Sequence, residues 1–208
     1  MKEKIINAFQ NQQKELYDNI FKKCKPFNNQ GINEQNLTFN FAQSLKNILD
    51  KDTGCSENGA VCLFELKLKE NGKHSRVDGF VYDKTNGKEA AFFIESKKFK
   101  RSGIKKYGDS LTSDIKRLSY SENRNQVLKE LCIDNQIEQY LIFLFDHWYL
   151  NDSKKKEKDE KKVKEWIDKR IKELSMYNVF SDFIEICVHG RTKEHYYIYI
   201  IAVKVNPV

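Results

Sequence analysis

The chain has 208 residues, a net charge of +7 and 32% charged residues, with 14 Phe and 10 Tyr among them. That aromatic content excludes a disordered composition, and the length suits one domain, residues 1–208, with a sizeable core. No apolar run approaches a membrane span and Met1-Lys2-Glu3-Lys4 carries no signal-peptide pattern, so a soluble, cytoplasmic protein is expected.

Residues 2–23 place Ile5, Ile6, Phe9, Leu16, Tyr17, Ile20 and Phe21 at near-helical spacing, and Lys25-Pro26 ends that element. The helix either packs on the core or forms a homodimer contact; the sequence leaves both open. A second helix is predicted from Glu34 to Leu49. Asn33 is a good N-cap, Ile32 and Leu37 have hydrophobic-staple spacing, and Leu37, Phe41, Leu45 and Ile48 form the inward stripe. Glu34 falls on that stripe, where a carboxylate also suits a helix N-terminus. Asn40 and Gln43 are the polar alternatives if the register differs. After a loop over 50–60, Val61 to Lys69 reads as a strand in which Cys62, Phe64, Leu66 and Leu68 share one face. Glu65 lies on its polar set, and Asn71-Gly72 turns the chain back.

The next stretch organises the chain. Arg76-Val77-Asp78-Gly79-Phe80-Val81-Tyr82, a turn at Asn86-Gly87 and Ala91-Phe92-Phe93-Ile94-Glu95-Ser96-Lys97 form a β-hairpin pattern. Asn-Gly between apolar runs signals a two-residue type I′ turn, because both central positions need positive φ. If Thr85 faces Lys88, counting outward pairs Tyr82 with Ala91, Phe80 with Phe93 and Asp78 with Glu95. Carboxylates directly opposite each other repel. Strand periodicity adds Lys97 to the same face. A divalent cation would compensate the pair, since Mg²⁺ is commonly held by one or two carboxylates plus phosphate oxygens and water. A lysine beside it would orient water or steady developing charge, which is the chemistry of phosphodiester hydrolysis.

Lys98, Lys100, Arg101, Lys105 and Lys106 follow directly, where a phosphate backbone would need neutralising, although such a run also suits a solvated loop. Ser110 to about Leu131 is helical with a break near 119–121, and Asp114 and Arg117 stand at i,i+3, where they can pair. Gln139 to Phe145 is an apolar run of strand length after a helix, suiting a buried strand reached by a crossover, with Asp146-His147-Trp148 at its end. Residues 152–175 form an amphipathic helix whose mixed charges mark a solvated face. Phe183 to Val188 and Tyr196 to Val205 read as a closing hairpin. The five Cys lack C-x-x-C spacing, which argues against disulfides or zinc, and the four His are dispersed, with His189 and His195 flanking a turn.

The hairpin resembles the PD-(D/E)xK nuclease superfamily. Its first acidic residue matches Asp78 and its E-x-K matches Glu95-Ser96-Lys97, while Val77 stands where the motif has Pro. The resemblance covers about residues 33–146. It implies an α/β (α+β) fold of the restriction-endonuclease type, a mixed β-sheet flanked by helices in the order ααβββαβαββ. It also implies that Asp78 and Glu95 bind Mg²⁺ or Mn²⁺, that Lys97 acts on the attacking water, and that Glu34 joins the metal set. Asp114-Ile115-Lys116-Arg117-Leu118 resembles the D-x-x-R-L pattern common after E-x-K there, and a structural role is expected for it. The expected function is a metal-dependent nuclease acting on DNA rather than RNA. The alternative is a non-catalytic basic nucleic-acid- or protein-binding domain on the same scaffold.

Overall fold

In a computed structural model the described residues are 1–23, 32–51, 59–70, 73–85, 88–99, 104–150, 153–186 and 194–206. The N-terminal helical stretch comprises α1 (Lys2–Asn7), a π-helical segment (Ala8–Gln13) and α2 (Lys14–Lys23). Then come α3 (Glu34–Lys51), β1 (Val61–Glu70), β2 (Lys73–Thr85), β3 (Lys88–Lys98), α4 (Ile104–Ser119), α5 (Ser121–Glu130), β4 (Glu138–Leu150), α6 (Ser153–Glu173), β5 (Asn178–Ile186) and β6 (Glu194–Val205). The six strands form one mixed, mostly antiparallel sheet in the order β1-β2-β3-β4-β6-β5, with β3 and β4 parallel. No helix among the described residues is long and apolar enough to cross a membrane.

Helices cover both faces. Ile5, Phe9, Tyr17, Phe21 and the α3 stripe Leu37, Phe41, Leu45 and Ile48 pack on one face, so the N-terminal helical stretch is part of the core. Leu111, Ile115 and Leu118 of α4, with Val127, Leu128 and Val163, pack on the other. The Asn33 cap forms as expected: its Oδ1 accepts the Asn36 N–H at 2.7 Å. The run 140–145 of β4 is continuously apolar because both its faces are covered.

Three expectations are corrected. First, Leu66 does not share a face with Phe64. It packs with Leu63 in the α4-side layer, and Val77 and Phe80 likewise share that layer although each pair is three residues apart. A regular strand would put such pairs on opposite faces. Glu65 has φ of 56°, the left-handed region, and the β1–β2 ladder skips the Glu65/Asp78 position while keeping one register on either side. The strand pair therefore switches faces at Asp78. Second, Asp146-His147-Trp148 does not end β4. Pairing with β6 continues to Leu150, and Asp146 and His147 are buried mid-strand. Third, β5 begins at Asn178, five positions before the expected Phe183. The Asn71-Gly72 and Asn86-Gly87 turns lie outside the described residues.

Candidate active site

The β2–β3 ladder follows the register implied by the turn, from Thr85–Lys88 to Gly79–Ile94, and stops there. The expected pairing of Asp78 directly opposite Glu95 is therefore not made. Beyond that point β3 stays paired with β4, but its β2 edge presents N–H groups to no strand, and carboxylates take them instead. Asp78 Oδ2 accepts the Ser96 N–H at 2.9 Å, and Glu34 Oε1, from the first turn of α3, accepts the Lys98 N–H at 2.9 Å. Each leaves its second oxygen without a hydrogen bond among the described residues. The close fit of α3 depends on Gly79, where a Cβ would stand 2.5 Å from Thr38 Cγ2. Thr38 Oγ1 in turn donates to Ser96 Oγ at 2.7 Å. Glu34, Thr38, Phe39, Phe64, Glu65 and Asp78 line a cleft of about 380 Å³ on this side.

Glu95 and Lys97 lie on the α4 side of the sheet. Glu95 is 1% exposed, and Arg117 Nη2 donates to its Oε1 at 2.5 Å. Lys97 Nζ stands 4.0 Å from Glu95 Oε2 and 3.1 Å from Asp114 Oδ2. Arg117 also reaches Asp114 Oδ1 at 3.1 Å and donates from Nη1 to the Arg76 carbonyl at 2.8 Å. Burial pushes the Glu95 carboxyl well above the ordinary range. Asp78 and Asp114 add to that, against Arg117 and Lys97. Burial alone would pull the Lys97 ammonium down, but Asp114, Asp78 and Glu95 outweigh it and hold its pKa above the usual lysine value. Lys97 is therefore a fixed cation at neutral pH. It is suited to stabilising charge and not to abstracting a proton.

The donor set is one of hard carboxylate oxygens. Among the described residues no three acidic, His or Cys side chains converge tightly enough to hold an ion by themselves. Asp78 lies near enough to Glu95 to act on its charge, and carboxylate oxygens of this kind are the ligand type that Mg²⁺ takes when phosphate oxygens and water complete its shell.

Asp114 and Arg117, expected in a structural role, meet Lys97 and Glu95; their i,i+3 spacing is legible in the sequence, but those contacts depend on how α4 docks. Of the basic segment, Lys98 is half-buried at the end of β3. Lys100 and Arg101 lie outside the described residues, as do the side chains of Lys105 and Lys106, whose backbone opens α4. His189 is also outside, while His195 Nδ1 lies 2.6 Å from Glu185 Oε1 in an exposed pair.

Farther along the sheet is another buried carboxylate, Asp146. Asp146 Oδ2 accepts the Tyr196 hydroxyl at 2.7 Å and Oδ1 the Phe99 N–H at 3.1 Å, while Tyr196 accepts the Ile32 N–H at 3.0 Å. Burial raises the Asp146 pKa to about 7 against the opposing effects of Tyr196, Lys98 and Phe99. No family model, curated protein or solved structure matches the chain.

Proposed function

We propose that the chain is a metal-dependent nuclease hydrolysing phosphodiester bonds, with DNA preferred to RNA on the strength of the superfamily resemblance. The observation that carries this reading is the meeting of Asp78, a buried Glu95 and a protonated Lys97 where the β2–β3 ladder ends. The element order adds support. Helix α3, the antiparallel β1–β2–β3 meander, the α4–α5 helices and a strand parallel to β3 are the sequence of parts that a restriction-endonuclease-like core requires.

In this reading Asp78 and Glu95 would hold Mg²⁺ or Mn²⁺, with Glu34, held at the end of β3 by the Lys98 N–H, joining them when the ion binds. When bound, such an ion polarises a phosphoryl oxygen and makes water a better nucleophile. Lys97 supplies a positive charge that needs no proton transfer and steadies negative charge developing on the phosphate. The end of β3 sets the geometry: Ser96 N–H fixes Asp78, and Lys98 N–H fixes Glu34. The basic segment from Lys98 to Lys106 neutralises the phosphate backbone.

A second reading, a non-catalytic basic binding domain, draws on the Arg117–Glu95 pair, which compensates the buried carboxylate without an ion. Cleavage assays separate the two. Supercoiled plasmid, linear duplex, single-stranded DNA and RNA are incubated with Mg²⁺, Mn²⁺ or EDTA, beside Asp78→Ala and Lys97→Ala. Metal-dependent cleavage that drops by about 10²-fold or more in both variants supports the nuclease. Salt-sensitive binding without cleavage, unchanged in both variants, overturns it in favour of the binding domain.

A further inference from the structure

We infer that Arg117 occupies, in the metal-free protein, the charge position that a divalent cation takes at Glu95, and that cation binding moves the guanidinium off Glu95 while Asp114 retains it in the site. This rests on the reading of Glu95 as a metal ligand.

Three observations lead to it. First, Glu95 is almost wholly buried, so its charge needs a close counter-ion. Arg117 at 2.5 Å supplies that, and Lys97 at 4.0 Å is the more distant cation. Second, a cation arriving on Glu95 meets a guanidinium that keeps its charge at any working pH. The two positive charges compete for one carboxylate, and Arg117 cannot yield by losing a proton. Third, Arg117 already has a second set of anchors. Its Nη2, the atom on Glu95, also stands 3.1 Å from Asp114 Oδ1, and its Nη1 is held by the Arg76 carbonyl. Leaving Glu95 therefore breaks one hydrogen bond and does not strand the side chain.

The charge balance fits such an exchange. Asp78, Glu95 and Asp114 face Lys97 and Arg117, one carboxylate more than the cations present, so the site favours a further positive charge once Arg117 turns to Asp114. A merely structural Arg117, tying α4 to β2 and β3, would have the opposite consequence. Its loss would loosen the site and weaken metal binding. Arg117 is a positioning residue in this account, and it makes metal entry a competition within the protein.

The experiment is Mn²⁺ titration of the full chain by calorimetry for wild type, Arg117→Gln, Arg117→Lys and Asp78→Asn. Arg117→Gln is expected to bind Mn²⁺ about tenfold or more tighter than wild type, Arg117→Lys close to wild type, and Asp78→Asn far more weakly. Equal or weaker binding by Arg117→Gln, with wild type and Asp78→Asn behaving as stated, overturns the exchange and leaves the metal reading standing. No Mn²⁺ binding by either wild type or Arg117→Gln overturns both. Because Arg117→Gln leaves a buried carboxylate poorly compensated, a measurement on wild type decides the matter if that variant does not fold. The assigned Arg117 side-chain ¹⁵N resonances must shift on saturation with Mg²⁺, and unmoved resonances overturn the inference.

Discussion

Two of the carboxylates buried in this sheet, Glu95 and Asp146 on neighbouring strands, are compensated by different means. Glu95, on the α4 side of β3, is met by the cations Arg117 and Lys97 and shares them with Asp114. Asp146, on β4 and facing the α3 layer, is met by a tyrosine hydroxyl and a backbone N–H. Both have raised pKa values, and burial is the leading cause in each. The difference lies in what can be exchanged. A counter-ion can be replaced by another ion without rebuilding the backbone, whereas the Asp146 network joins β4, β6, the residue after β3 and the residue before the α3 cap. The first arrangement suits a site and the second suits a scaffold that holds the site's walls together.

Breaking each compensation tests this contrast. Arg117→Gln leaves Glu95 with Lys97 alone and is expected to cost about 3–5 kcal/mol of stability in urea denaturation at neutral pH. Tyr196→Phe, which removes the Asp146 donor and the Ile32 acceptor together, is expected to cost about 1–3 kcal/mol. Added Mn²⁺ should restore stability to Arg117→Gln and leave Tyr196→Phe unaffected, because the proposed cation site is at Glu95 and not at Asp146. Equal responses to the ion would erase the distinction.

The pH profile sharpens it. Asp146 titrates at about 7 in the folded protein against an ordinary 3.8, so the native state keeps a proton that the unfolded chain releases. Its contribution to stability is complete below the ordinary value and is lost as pH rises towards about 7, with a slope of up to about 1.4 kcal/mol per pH unit. The adjacent His147 has the opposite sign. Burial lowers its pKa from 6.5 to about 4, so the unfolded chain binds the proton first and stability falls as pH drops through that window. In wild type the two slopes oppose each other between about pH 4 and 6.5. Asp146→Asn removes one of the slopes that oppose His147, so stability should rise more with pH over that range than in wild type, as read in urea titrations. A variant profile parallel to wild type would remove Asp146 as the linked group. At the small end stands Lys204–Glu138, an ion pair with side chains 38% and 46% exposed. Lys204→Ala should change stability by no more than about 1 kcal/mol, since exposed pairs are screened and entropically loose.

Local pattern carried much of the architecture. The α3 stripe and Asn33 cap follow from 3.6-residue spacing, and the β2–β3 register follows from the Asn-Gly turn down to Gly79–Ile94. What escaped the sequence depends on partners distant in the chain. The ladder stops at Gly79 because Glu65 adopts a left-handed backbone on the neighbouring strand, and alternation in the letters of β1 gives no hint of it. Asp146 looked like a strand-end residue because its partner Tyr196 is fifty positions away. Arg117 was visible as half of an i,i+3 pair with Asp114, but its reach to Glu95 requires α4 laid across β3.

The strand order β1-β2-β3-β4-β6-β5 also bears on how the chain folds. The β1–β2–β3 meander is made of sequence neighbours, while β4 must find β3 across two helices and β6 across α6 and β5. Short loops close sooner than long ones, so the meander is expected to gain amide protection before the β4–β6 pair in pulse-labelled refolding. The hairpin bearing Asp78 and Glu95 then exists for a time before α4 delivers Asp114 and Arg117. Protection appearing simultaneously in β2, β3, β4 and β6 would show that the sheet condenses as one. With the meander leading, the charged end of the hairpin is a late-healing edge in folding, and its repulsion is a kinetic barrier that the arrival of α4 removes.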